Sequence, residues 1–471
     1  MTTPTGEAAP AEAPAPAPRQ RPARRALDEL TLAVTRADVE EVGARDALGG
    51  WLRDDRATAF EAYSALPGES NRLYTPYIDL RPAQLDGAAV VRPGPAGGVR
   101  RTELPAEADG LLVIGEGRIV ASALSASARR AGVVLTSVSE LEAGDAGRAR
   151  ALLGDGGTLP ADDKFAQLTR ALWSLGVVLD VPAGVQLDRP VIVRWELGAP
   201  DRALLTRTLV RLGDGATASL VEEFVPSGED GGAATRQAFY AGTTEVRLGT
   251  KSSLRVASLQ ELPSNVVAFQ HRAARIGEGA DLHWALAQLG GRLVRSRVDN
   301  RLDGDHSSVE QVEIVFGGED QLFDLTSYTT HTGRDTTGNL LSKGALLDRS
   351  RSYMKGLITI DRSAVGTDSF LGEFGMNLSK AARAVAIPSL EIDQPDCRRA
   401  AHSSSVGPID ESQLFYLESR GIDPDDARKF IVLGFLEPVV ARVPLADVQD
   451  RLRDLLEAKW AAGSARAGAA A

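Results

Sequence analysis

Arg275-Ile276-Gly277-Glu278-Gly279-Ala280 closes one alternating apolar stretch and opens the next. The same form occurs at Arg211-Leu212-Gly213-Asp214-Gly215-Ala216, at Arg247-Leu248-Gly249-Thr250-Lys251-Ser252 and at Arg301-Leu302-Asp303-Gly304-Asp305-His306. Each copy is an apolar strand end, a Gly/Asp turn and a new strand, and the starts lie 36, 28 and 26 residues apart. Such a period fits the stacked coils of a solenoid, where each coil buries its inward side chains against its neighbours. Regular hairpins of an antiparallel sandwich produce the same local pattern, so the repeat alone leaves both architectures open.

Working outward, Val177 to Trp195 alternates apolar and polar residues around Pro182, Gly184 and Pro190, which reads as short strands joined by tight turns. Leu111 to Ser122 reads as strand, turn and strand, with Gly115 and Gly117 at the turn. Asp162 to Leu175 reads as a helix with Phe165, Leu168, Leu172 and Trp173 on one side. From Ala26 to Leu66, helical spacing of apolar residues gives two or three short helices, with Gly49-Gly50 as a break. Residues 1–25 are Ala/Pro-rich without periodicity and are expected to be a disordered tail.

Downstream the β pattern stops near Ser405. Asp410 is an N-cap with Gln413 as its capping-box partner. Asp423 caps the next helix, with Pro424 at its first position and Asp425 and Asp426 in its first turn. A last helix, Leu445 to Trp460, carries Leu445, Val448, Leu452, Leu455 and Leu456 on one face. The expected organisation is therefore a tail (1–25), a helical and mixed α/β region (26–166), a β core (167–405), a helical domain (406–460) and a frayed end (461–471).

Composition narrows the function. A net charge of −11 argues against a nucleic-acid partner, which demands a clustered basic face. No apolar run approaches the roughly 20 residues of a membrane span, and the N-terminus lacks a secretory apolar core. One cysteine permits no internal disulfide. The expected setting is the cytoplasm. No phosphate loop, dinucleotide fingerprint or nucleophile elbow is present, and no His or Cys spacing forms a metal site within one chain. The chain reads as a non-enzyme.

The stretch from Asp324 to Val440 carries a resemblance. His331, Asn339, Leu340, Lys343, Gly344, Asp348, Arg351, Ser352 and Gly356 match it first. His402, Val406, Gly407, Gln413 to Leu417, Ser419 to Ile422, Ala427-Arg428 and Gly434-Phe435 follow. These residues resemble the core of the SufB/SufD family, the scaffolds of the SUF iron–sulfur cluster assembly system. The resemblance implies a mainly β chain built on a right-handed parallel β-helix, the SufBD core, with helical segments at both ends. It also implies partners, a SufB-type scaffold and the SufC ATPase. It further implies that no cofactor is held stably by the chain alone and that iron or an iron–sulfur cluster sits transiently at the interface with SufB.

Departures from the family bear on the branch. SufB-type chains carry a key cysteine before an Asp-Ser pair, where this chain has Thr367-Asp368-Ser369. They also tend to have glutamate after the histidine that His402 matches, where this chain has Ser403; SufD-type chains usually have glycine there. The missing thiol makes the chain resemble the SufD branch more. The family's N-terminal motif appears as Asn71-Arg72-Leu73-Tyr74-Thr75 without its tryptophan.

Candidate site residues follow. His402 aligns with the histidine that in SufD-type chains faces the partner near the nascent cluster, and imidazole suits ferrous iron. Cys397 lies five residues earlier in the same strand region, beside Arg398 and Arg399, which favour a thiolate; a small core hydrophobe is the alternative. His331, among Thr329, Thr330, Thr332 and Thr336, reads as part of a polar ladder. His271, His283 and His306 read as surface residues. Phe415, Tyr416, Leu417, Phe430, Leu433 and Phe435 exceed what two short capping helices need, so they are expected to form a partner-docking patch. Two rival readings are a SufB-type scaffold with displaced ligands and a β-helical carbohydrate-active enzyme using Asp299, Asp303 and Asp305.

Overall fold

The computed structural model describes residues 32–45, 49–66, 88–92, 100–153, 159–228 and 236–469. The expected tail at 1–25 and the Asn71–Thr75 match lie outside these residues.

Strands alternate between two sheets from Leu175 onward. Leu175–Val181, Arg202–Leu212, Ala238–Leu248, Val266–Ile276, Leu293–Leu302, Leu322–His331, Arg351–Ile360 and Arg383–Ile392 form the first. The intervening strands, from Val191–Leu197 to Arg399–Pro408, form the second. Every neighbouring pair in this series is parallel. Each coil contributes one strand to each sheet, which makes a parallel β-solenoid and excludes the antiparallel sandwich. The repeat is in register: Leu212, Leu248, Ile276 and Leu302 are successive cross-strand partners. Because parallel register keeps partners on one face, these four apolar residues stack in one inward column, and all are buried.

The outer faces are covered by helices. Lys164–Leu172 lays Phe165, Leu168 and Leu172 on Leu205, Phe239 and Phe269 of the first sheet. Its N-cap Asp163 accepts from the Ala166 N–H (2.8 Å) and pairs with Arg297 (3.1 Å). Near the N-terminal end, Gly110–Gly115 and Arg118–Leu124 form a hairpin beside Val191–Leu197, and Val134–Ser137 runs antiparallel to Leu175–Val181. The second sheet's outer face is covered by Pro424–Val440 and Ala446–Ala469. Among the described residues, no helix is long and apolar enough to cross a membrane.

Some boundaries differ from expectation. The last strand runs to Pro408, past Ser405, because pairing with Asp368–Asn377 continues through Val406 and Gly407. The last helix does not end at Trp460 but continues to Ala469. Ala-rich sequence sustains helix, and Arg466 holds the final turns to Asp348 (3.2 Å) and Glu319 (3.5 Å) of the solenoid, so 461–469 are not frayed.

Candidate site at the open end of the solenoid

The two terminal strands, Arg383–Ile392 and Arg399–Pro408, each have a strand partner on one side only among the described residues. The last coil is therefore open, with Ile392 46% and Val406 39% exposed. His402 pairs with Leu371, which pairs with Leu340, then Gln311, Trp284 and Val256. All five lower members are buried. His402 thus continues an inward column, yet it is exposed because no coil follows it among the described residues. Its imidazole belongs to the mouth of the lumen, not to the outer wall.

Beside that column runs a polar one: Glu222, Ser258, Leu286, Glu313, Ser342, Glu373 and Ser404. Burial pushes the Glu373 carboxyl up to about 8 and the Glu313 carboxyl up to about 7. Glu373 Oε2 accepts from the Ile387 backbone N–H at 2.9 Å, so it reaches across to the last strand of the opposite sheet. Room for it comes from Gly356: a Cβ there would lie 3.0 Å from Glu373 Oε1 and 2.5 Å from a Leu371 methyl. Neither glutamate was singled out by sequence reasoning, because alternation alone does not show which polar residues turn inward.

Thr367, at the position of the SufB-type cysteine, is fully buried in a coil corner. It donates to the Ala364 carbonyl (2.9 Å) and lies 3.3 Å from Thr336 Oγ1, one coil below. His331 completes the corner, with Nδ1 2.8 Å from Thr336 Oγ1 and Nε2 3.1 Å from Ser369 Oγ. Ser369 spends its proton on the Gly338 carbonyl (2.9 Å), so it accepts from His331 Nε2–H, and Nδ1 accepts from Thr336. The imidazole is neutral, and burial lowers its pKa to about 4. Of the threonines expected to form a polar ladder with His331, Thr336 contacts it, whereas Thr329 accepts from Asn300 and Thr332 donates to the Leu302 carbonyl.

Cys397 is not on the strand of His402. It sits in the loop before Arg399–Pro408 and packs, with Leu390 and Ala400, on a cluster containing Leu340, Ile358 and Leu371. Among the described residues no three His, Cys, Asp or Glu side chains gather as a metal site. His271 is buried instead of superficial: its Nε2 lies 2.6 Å from Asp299, which also binds Arg297. His283 is half-buried, while His306 is exposed at a turn with φ 59°. Asp299 and Asp303 are engaged by arginines, so they do not form the paired carboxylates of a glycosidase.

The helix Glu411–Ser419 buries none of its side chains. Phe415, Tyr416 and Phe430 are 72, 57 and 60% exposed. Leu417 is half-buried, whereas Leu433 and Phe435 pack toward the solenoid. Lys343 explains why: its Nζ donates to the Phe435 carbonyl (2.6 Å) and lies 4.6 Å from the centre of the Phe435 ring. Of the six expected docking residues, Leu433 and Phe435 are therefore partly covered by the solenoid.

Among the described residues the parallel β-solenoid thus ends in an unclosed coil with an inward histidine at its mouth and an exposed aromatic helical appendage beside it. The SUF system FeS cluster assembly SufBD core domain model matches residues 196–435, and this chain belongs to the SufBD family. It is 29% identical over 299 residues to the iron–sulfur cluster assembly protein SufD of Bacillus subtilis, covering 63% of this chain and 67% of that one. It is 27% identical over 285 residues to a SufBD family protein of Staphylococcus haemolyticus, and 26% to one of Staphylococcus aureus, each covering 60% of both chains. The matched regions thus span about two thirds or less of these relatives.

Proposed function

We propose that this chain is a SufD-type, non-catalytic scaffold subunit of a SUF assembly, working in the cytoplasm with a SufB-type scaffold and a SufC-type ATPase. The observation that carries the reading is His402, an inward imidazole on the last, open coil of a chain whose SufB-type thiol position is a buried threonine. In this reading the unpaired edges of the last coil meet the SufB-type partner, whose thiolates supply the main ligands. His402 offers a nitrogen donor to incoming ferrous iron, and Phe415, Tyr416 and Phe430 dock the ATPase. Iron and sulfide are cargo at that interface. Cys397 packs among apolar side chains and is a secondary candidate at most.

The test is co-purification of this chain with SufB- and SufC-type proteins under anaerobic conditions, followed by iron and sulfide determination. A ternary complex that gains iron only when this chain is present supports the reading. ATP hydrolysis or cysteine desulfuration by the pure chain would overturn it, and a stable cluster on the isolated chain would favour a SufB-type scaffold with displaced ligands.

A further inference from the structure

Leu455, Lys459, Ala462 and Arg466 share one face of Ala446–Ala469, and between that face and the solenoid lies a cleft of about 310 Å³. Its other wall is made by the turns that follow Ser253–Gln260, Asp281–Gln288 and Ser308–Gly317, so it spans three successive coils. Lys459 is half-buried there. Among the described residues its amine has two partners, both neutral: the Leu289 carbonyl and Gln321 Oε1 (2.8 Å). Gln321 cannot turn away. Its Nε2 donates to the Gly291 carbonyl (2.7 Å), and its Oε1 also accepts from the Gly318 N–H (3.0 Å). Glu261 and Glu319, the two carboxylates lining the cleft, are instead engaged by Arg451 and Arg466 (3.5 Å each). A tetrahedral nitrogen bonded to Cε and donating twice has one direction left. In an ammonium that direction carries a third N–H with no acceptor; in a neutral amine it carries the lone pair. Burial pushes the pKa down to about 7, with Glu319 opposing and Arg466 assisting.

We propose that Lys459 is a nucleophilic amine that captures a small, uncharged aldehyde in this cleft as a Schiff base. A lysine desolvated in an apolar pocket is the usual amine nucleophile toward carbonyl carbon. Leu262, Leu289, Leu455 and Ala462 offer apolar surface to a short alkyl chain, while Glu261 and Glu319 disfavour a carbonyl compound that carries its own negative charge. The lone pair attacks the carbonyl carbon, and the carbonyl π pair moves to oxygen to give a carbinolamine. The C–O bond then breaks as the C=N bond forms. Both amine hydrogens leave with the oxygen as water, so nothing is oxidised or reduced. The neutral imine keeps no proton for the Leu289 carbonyl or Gln321, so capture removes two ties of the last helix to the solenoid.

Propanal, with cyanoborohydride to reduce the imine to a stable secondary amine, tests this on the full chain. Peptide mass spectrometry reads the labelling rate at each lysine, and the exposed Lys251 and Lys380 serve as controls in the same digest. At pH 7 about half of an amine with a pKa of about 7 is neutral, against fewer than about one in a thousand for an ordinary lysine. Lys459 should therefore label roughly tenfold or more faster than either control, even from within a cleft. Its rate should level off above pH 8, while the controls continue to gain. Gln321→Glu places a carboxylate beside the nitrogen and favours the ammonium, so labelling of Lys459 should slow roughly tenfold, the effect of about one pKa unit. Labelling of Lys459 no faster than of Lys251 and Lys380 in the native chain would overturn the proposal. So would an unchanged Lys459 rate in a Gln321→Glu chain with native melting behaviour.

Discussion

His402 and Leu371 are cross-strand partners in one inward column, Leu371 1% exposed and His402 open to solvent. One coil of stacking separates an apolar core position from a polar mouth position. His402→Ala is therefore expected to change the melting temperature little, since an exposed truncation typically costs within about 0.5 kcal/mol. Iron per anaerobically purified complex should fall markedly, and less so in Cys397→Ser. Normal iron loading in His402→Ala would leave the imidazole without a role in iron entry.

The Thr367 corner should behave in the opposite way. Thr367→Val removes a buried donor that serves the Ala364 carbonyl and should cost about 1–3 kcal/mol. His331→Ala leaves a cavity as well as stranded hydroxyls at Thr336 and Ser369 and should cost about 2–5 kcal/mol. Urea titrations of both variants measure these costs. Equal stability for His331→Ala would mean that the corner is not packed as described.

Stability should depend on pH through two opposed groups. His331 has a depressed folded pKa, so its contribution is full above the ordinary histidine value of about 6.5 and is lost as pH falls toward about 4. Glu373 is raised: its proton is held in the folded chain up to about 8, so its contribution is full below the ordinary carboxyl range and is lost as pH rises from there through about 8. Glu373→Gln should flatten the decline on the alkaline side and raise stability at pH 8. Parallel urea curves at pH 6 and 8 for both chains decide it; an unaltered alkaline slope would rule out a buried proton at Glu373.

Removing everything after Val406 is a poor test of partner docking. It would uncover Val312, Ile314 and Ala285, on which Val432, Val439 and Leu452 pack. Point changes are cleaner. Phe415→Ser and Phe430→Ser together should leave the circular dichroism intact and weaken binding of the SufC-type ATPase by roughly a thousandfold, as loss of two aromatic anchors of about 2 kcal/mol each implies. Unchanged affinity in a pull-down series would place the docking site elsewhere.

Much of the core is legible in the sequence because the turns recur: Leu212, Leu248, Ile276 and Leu302 hold the same place in each copy, and they become one stacked column. What alternation does not reveal is direction. Glu313, Glu373 and His271 sit among alternating residues that read equally well as solvated, and only the register shows which faces the lumen or a covering helix. His402 was found through resemblance; that it lies inward at a mouth follows only from Leu371 and Leu340 beneath it. The helix past Trp460 was missed because its anchor is tertiary, from Arg466 to Asp348 and Glu319.

That last helix has a consequence for how the molecule comes apart. A stack of coils joined only to its neighbours can unzip one coil at a time from an end. Ala446–Ala469 bridges levels that do not touch. Arg451 reaches Glu223 and Glu261, Lys459 meets the Leu289 carbonyl and Gln321, and Arg466 binds Glu319 and Asp348. Opening any of those levels strains the same rod, so they share one fate. Pulled mechanically, the central coils should yield in a single step, while the two coils beyond Asp348 peel away first and leave the mouth as the compliant end of an otherwise stiff body.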